Sequence, residues 1–150
     1  MKFKRKKWRI ATIVALIIFS LSRSLYAVDD TRYEGIKQAP DRLLETGKSI
    51  IGQPLSYPTD APPKITAMIV TIAPGEKTQV HKHPVPLFVY ILSGEIAVKY
   101  EGKGTKRFAA GDAYMEAVDW WHKGKNVGDV PARILVVYIG SEKLPNVIPK

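Results

Sequence analysis

The stretch that decides the fold is GEKTQVHKHPVPLFVYILSG, residues 75–94. His81 and His83 stand two apart in it. Side chains on a strand alternate between faces with a period of two, so both imidazoles leave the same face and can converge on one ion. Beyond them Leu87 to Leu92 is an unbroken apolar run, and Ser93-Gly94 turns the chain. Glu95 to Glu101 then sets Ile96, Val98 and Tyr100 in alternation with Glu95, Lys99 and Glu101, which predicts a half-buried hairpin strand.

The same punctuation continues outward. Gly102-Lys103-Gly104 makes the next turn, Thr105 to Ala109 returns, and Gly111-Asp112 precedes Ala113 to Ala117. The basic cluster Lys99 to Arg107 then reads as a solvated hairpin tip. Ala132 to Ile139 carries Ile134, Val136 and Tyr138 on one face and Leu135, Val137 and Ile139 on the other, and a two-layer barrel would bury both. Upstream, Ile65 to Ile72 is nearly continuous in apolar and β-branched residues and predicts a strand buried on both faces, ended by Pro74-Gly75. Such runs recur every eight to twelve residues or so, and no long window outside the N-terminal segment has helical periodicity, so the fold class is all-β. Residues 64–150 form the barrel, and residues 28–63, broken by five prolines, an arm with one or two short strands.

Residues 1–27 have the parts of a secretory signal: basic Lys2 to Arg9, apolar Ile10 to Leu21, polar Ser22 to Ala27. A mostly apolar run of twelve residues falls short of the roughly 20 that cross a bilayer, so cleavage after Ala27 and a periplasmic or secreted protein without a membrane anchor are expected. The formal charge of +9 sits mostly in this leader, leaving 16 basic and 14 acidic residues from Val28 onward. That balance gives no reason to propose a nucleic acid or other acidic partner. Without cysteine there is no thiolate chemistry, and the chain has neither a phosphate-cradling glycine loop nor a G-x-S-x-G elbow.

The third histidine, His122, lies about forty residues after the first pair, where a later strand can bring it opposite them. Neutral imidazole nitrogen suits Fe, Mn, Ni, Cu or Zn, and three such ligands leave coordination positions open.

Residues 75–94 and 111–126 resemble the two motifs of the cupin superfamily. The first pattern, G-x5-H-x-H-x3-E-x6-G, falls with every spacing kept on Gly75, His81, His83, Leu87 and Gly94; the second, G-x5-P-x-G-x2-H-x3-N, falls on Gly111, Ala117, Asp119, His122 and Asn126, with Ala117 in place of the proline and Asp119 in place of the second glycine. The resemblance implies a jelly-roll barrel, or double-stranded β-helix, of the small single-domain type. It further implies a divalent metal on His81, His83 and His122, a small-molecule ligand or substrate, and a homodimer. Leu87 stands where metal-binding cupins carry a glutamate, so the shell implied here has three histidines and an open position, as in some cupin dioxygenases. Tyr90, Tyr114, Glu116, Trp120 and Trp121 are further pocket candidates, with one tryptophan ring expected inward and the other outward. A metal-dependent dioxygenase, a module that binds a small ligand or metal without turnover, and a barrel that has lost its metal are the functional alternatives.

Overall fold

The computed structural model describes Gly35, Lys37 and residues 40–150, so the leader and nearly all of residues 28–39 lie outside the described residues. Nine strands belong to the unit Asp41–Lys150: β1 (Pro63–Ile72), β2 (His81–Lys82), β3 (Leu87–Ser93), β4 (Glu95–Tyr100), β5 (Gly104–Ala109), β6 (Ala113–Met115), β7 (His122–Asn126), β8 (Ala132–Ser141) and β9 (Ile148–Pro149). They form two antiparallel sheets, ordered β1-β8-β3-β6 and β5-β4-β7-β2-β9. The fold is an all-β jelly roll.

Alternation fixes what each sheet turns inward. In β3, Leu87, Val89 and Ile91 are buried, as are Ile96, Val98 and Tyr100 in β4 and Ile134, Val136 and Tyr138 in β8. Burying one such aliphatic side chain stabilises the barrel by about 1.5–3 kcal/mol. Two motif residues serve this packing. The Asn126 side-chain amide donates to the carbonyls of Ile72 and Val130 at 2.9 and 2.8 Å, and its oxygen accepts from the Gly128 amide at 2.9 Å. Gly94, at φ 79°, packs so tightly that a Cβ would lie 2.7 Å from the Ala132 Cα. Asp119, where the motif has its second glycine, holds φ 51°, a conformation that aspartate tolerates better than most residues.

Three expectations are corrected. β1 is not buried on both faces. It is a sheet edge, and Ile65, Met68 and Ile69 are 59%, 43% and 51% exposed. The outer face of β8 is only half-buried, because nothing in the unit Asp41–Lys150 fully covers Leu135, Val137 and Ile139. Residues 41–62 contain no regular strand, only a bridge between Lys48 and Pro54 that closes a turn. That turn docks on the β6 end of the sheet: the Ile50 amide donates to Met115 O at 2.7 Å, and the Gln53 side chain exchanges two bonds with the Val118 backbone. One edge of the sheet is thereby capped by the chain itself.

Candidate metal centre

His81 on β2 pairs directly with His122 on β7, which in turn pairs with Tyr100 on β4. The three side chains therefore form one row across the inner face of the five-stranded sheet. His83 follows two residues after His81, on the same face, in a parallel bridge with Val118. The three imidazole centroids are 4.5–5.1 Å apart, and one ligand atom from each lies within 4.8 Å of the others.

Backbone carbonyls fix the tautomers. His81 Nδ1 donates to Gln79 O, His83 Nδ1 to Asn146 O and His122 Nδ1 to Trp120 O, each at 2.8 Å. A carbonyl only accepts, so Nδ1 carries the proton and Nε2 keeps its lone pair for the interior. Burial lowers the pKa of all three histidines, to about 3 at His83, so they stay neutral and able to ligate.

Across from them lies Glu116, 4% exposed. Its Oε1 accepts from the Ala117 amide at 2.7 Å and its Oε2 is 3.8 Å from His122 Nε2. Burial pushes this carboxyl up to about 7, against the lowering effect of the Ala117 bond. Burial, and next the charge of Glu116, also raise Tyr100 and Tyr114. The Tyr100 hydroxyl is fully buried and has no hydrogen-bond partner of ordinary length among the described residues, although Glu116 is near enough to influence it.

The three histidines, Glu116 and Tyr114 open onto a cavity of about 160 Å³ whose remaining wall is mostly apolar, including Val70, Leu87, Val89, Ile96, Val98 and Val136. Gly124 helps to leave it open: it lies on the inner face of β7 two residues from His122, and a Cβ there would meet nothing within 4 Å.

Of the pocket residues expected from sequence, Leu87, Tyr114 and Glu116 line this cavity together with the three histidines. Tyr90 does not, because it lies in the opposite phase to Leu87 and Val89. Neither tryptophan ring enters. Trp120 donates its indole N–H to Glu101 O at 2.8 Å and packs at the margin of the core, while Trp121 lies under the ammonium groups of Lys82 and Lys150 at 5.2 and 5.4 Å. Tyr100, in the row beside His122, and Gly124 and Tyr138, which also line the cavity, were missed. Each continues an alternation already visible in the sequence, from Ile96 and Val98, from His122, and from Ile134 and Val136.

Residues 68–138 match the family model described as a cupin domain. The barrel is a cupin domain. No curated protein sequence matches the chain significantly. Among solved structures, this cupin is similar to the Lactobacillus farciminis oxalate decarboxylase in its formate complex, with 29% identity, a TM-score of 0.50 and coverage of 57% of this chain and 26% of that one. It is similar in fold to the Bacillus subtilis oxalate decarboxylase studied for its Mn(II) centres, with 24% identity, a TM-score of 0.51 and coverage of 57% and 23%. The chain thus spans about a quarter of the length of those two enzymes. The donor set of this cupin fits a divalent metal: three neutral imidazoles, each pinned through Nδ1, with one ligand atom from each within 4.8 Å of the others.

Proposed function

We propose that this cupin is exported, holds a divalent transition metal through Nε2 of His81, His83 and His122, and oxidises a small, largely apolar organic molecule with dioxygen. The observation that carries the reading is a pre-oriented histidine trio opening onto a closely adjoining apolar cavity of about 160 Å³. A dry cavity of roughly 150 Å³ accepts a benzene-sized guest, so the substrate class is a single ring or a short diketone rather than a three-ring flavonoid. Among the described residues no lysine or arginine lines the cavity, so none of them offers an oxalate-like dianion a cationic side chain there.

When bound, the metal supplies the Lewis-acid and redox chemistry that brings dioxygen and substrate together; both oxygen atoms end in the organic product, so no external reductant is required. The chain's own residues do the rest. The aliphatic wall excludes water and favours apolar guests, and Tyr100, paired with His122 across β4 and β7, sets its buried hydroxyl beside Glu116. Mn(II) is the first ion to test, since it is the metal of the Bacillus subtilis relative.

The test is oxygen consumption by untagged protein reconstituted with Mn(II) or Fe(II), on a panel of short diketones and single-ring phenols. Uptake that requires metal and His122 supports the oxygenase. Tight binding of panel members without uptake makes the barrel a binding module, and protein that takes up no metal rejects the centre. Export is supported by the three-part leader and implies a mature N-terminus at Val28, readable by mass spectrometry. A homodimer is supported by the uncovered apolar ladder in which Ile65, Ala67 and Ile69 of β1 pair with Ile139, Val137 and Leu135 of β8.

A further inference from the structure

We propose that the Glu116 carboxylate is the anionic donor of the metal centre, delivered from the neighbouring strand in place of the carboxylate that position 87 lacks. The inference rests on the three-histidine reading above and adds a fourth ligand to it.

The register brings the two positions together. β3 pairs with β6 so that Phe88 faces Met115, and one step further the Glu116 amide donates to Leu87 O at 2.8 Å. Leu87 and Glu116 are thus cross-strand neighbours lining one cavity. Directly opposed side chains of an antiparallel pair start from Cβ atoms about 5 Å apart, within the reach of a glutamate.

Distance then selects the oxygen. Nitrogen and oxygen ligands sit about 2.0–2.2 Å from a metal, so two donors of one ion are roughly 3 Å apart at a right angle and about 4.2 Å apart in line. The 3.8 Å between Glu116 Oε2 and His122 Nε2 falls inside that window and is too long for a hydrogen bond. Oε1 is held by the Ala117 amide, which leaves Oε2 as the oxygen that faces His122.

Burial supplies the reason. Glu116 is 4% exposed, and among the described residues lining its cavity no lysine or arginine offers a counter-charge. A carboxylate with no cation beside it is costly inside a barrel, and it is retained where it is paired or coordinates a metal. A divalent ion on the three Nε2 atoms would be that cation. The centre would then present three neutral ligands and one anion, the charge balance that favours Mn(II) or Fe(II) over a bare imidazole set.

The test compares the parent with Glu116→Gln, which keeps the side-chain length and the bond to the Ala117 amide. Mn(II) affinity is read by electron paramagnetic resonance, and coordination by the visible absorption of Co(II)-loaded protein. The expected result is about a tenfold or greater loss of Mn(II) affinity and an altered Co(II) spectrum in Glu116→Gln, with recovery in Glu116→Gln/Leu87→Glu, where the carboxylate returns across the ladder. Should the variants fold poorly, the parent answers alone: carboxylate infrared bands of ¹³C-glutamate-labelled protein at pH 8 should shift on adding Zn(II). Equal affinity and identical Co(II) spectra in parent and Glu116→Gln, or infrared bands unmoved by bound Zn(II), would overturn the assignment of Glu116 while leaving the three-histidine centre intact. A parent that binds no Mn(II) or Co(II), or one matched by His122→Ala, would overturn both.

Discussion

The two sheets of the barrel divide the work between them. The five-stranded sheet carries polarity inward: His81, His122 and Tyr100 stand in one row, and Gly124 leaves space beside them. The four-stranded sheet carries almost only hydrocarbon inward, from Leu87, Val89 and Ile91 and from Ile134, Val136 and Tyr138, with Glu116 as the exception at its β6 end. Outside, the first sheet bears Lys99, Lys123 and Lys125 while the second bears Ile65 and Ile69. One sheet therefore gathers the candidate ligands, while the other holds the molecule together and lines the cavity with hydrocarbon.

Separate substitutions should break that division in opposite ways. Ile91→Ala, at a fully buried position of the apolar sheet, should cost about 2–5 kcal/mol of stability while leaving metal affinity within twofold or so. His83→Ala should do the reverse, removing most bound metal while the barrel stays folded. Urea unfolding and metal analysis on both variants decide it; a metal loss in Ile91→Ala as deep as in His83→Ala would mean that the sheets do not act independently.

Acid should sharpen the comparison. Burial holds His83 at about 3 against 6.5 for an ordinary histidine, so between those values the unfolded chain binds a proton that the folded chain refuses. Stability is thus full above about pH 6.5 and falls toward pH 3 by up to roughly 1.4 kcal/mol per pH unit for this group, with His81 and His122 acting in the same direction. Glu116 acts oppositely. Its folded pKa of about 7 lies above the ordinary 4.5, so the folded state binds the extra proton between those values and offsets part of the loss there, and none of it below. Metal-free protein should lose stability gently between pH 6.5 and 4.5 and steeply beneath, as read from urea midpoints, and Glu116→Gln should remove the gentle region. Midpoints that rise on acidification would contradict neutral buried histidines.

The smallest effect on the protomer is expected at the outer face. Ile69→Lys replaces a half-exposed side chain and should change protomer stability by only about 0.5 kcal/mol, yet place a charge in the ladder proposed to meet a second copy. Sedimentation should find a dimer in the parent and a monomer in the variant; a monomeric parent removes that interface.

Much of this arrangement was legible in the chain. The period-two histidines and the glycine-bounded strands are local signals that put His81 and His83 on one face of a strand, and the cupin resemblance adds His122 to them. Tyr90 was misread although the information was present, since a strand that turns Leu87 inward must turn residue 90 outward. β1 was misread for a different reason. A continuous apolar run reports hydrophobicity, but whether a strand lies at the centre or the edge depends on which strands flank it, and β1 has β8 on one side only. The meeting of Glu116 with Leu87, and of the Asn146 carbonyl with His83 across 63 residues, depends on register between distant segments that no local pattern encodes.

That last contact bears on the order in which the protein is made. β2, only two residues long, is held between β7 and β9, the Asn146 carbonyl orients His83, and the Lys150 amide donates to Val80 O at 3.0 Å. A ligand strand closed by residues 146–150 cannot be finished while those residues are still inside a ribosome or a translocation channel. The proposed metal centre is therefore complete only once residues 146–150 have docked on β2, and the metals available where that docking happens would bear on which ion the barrel keeps.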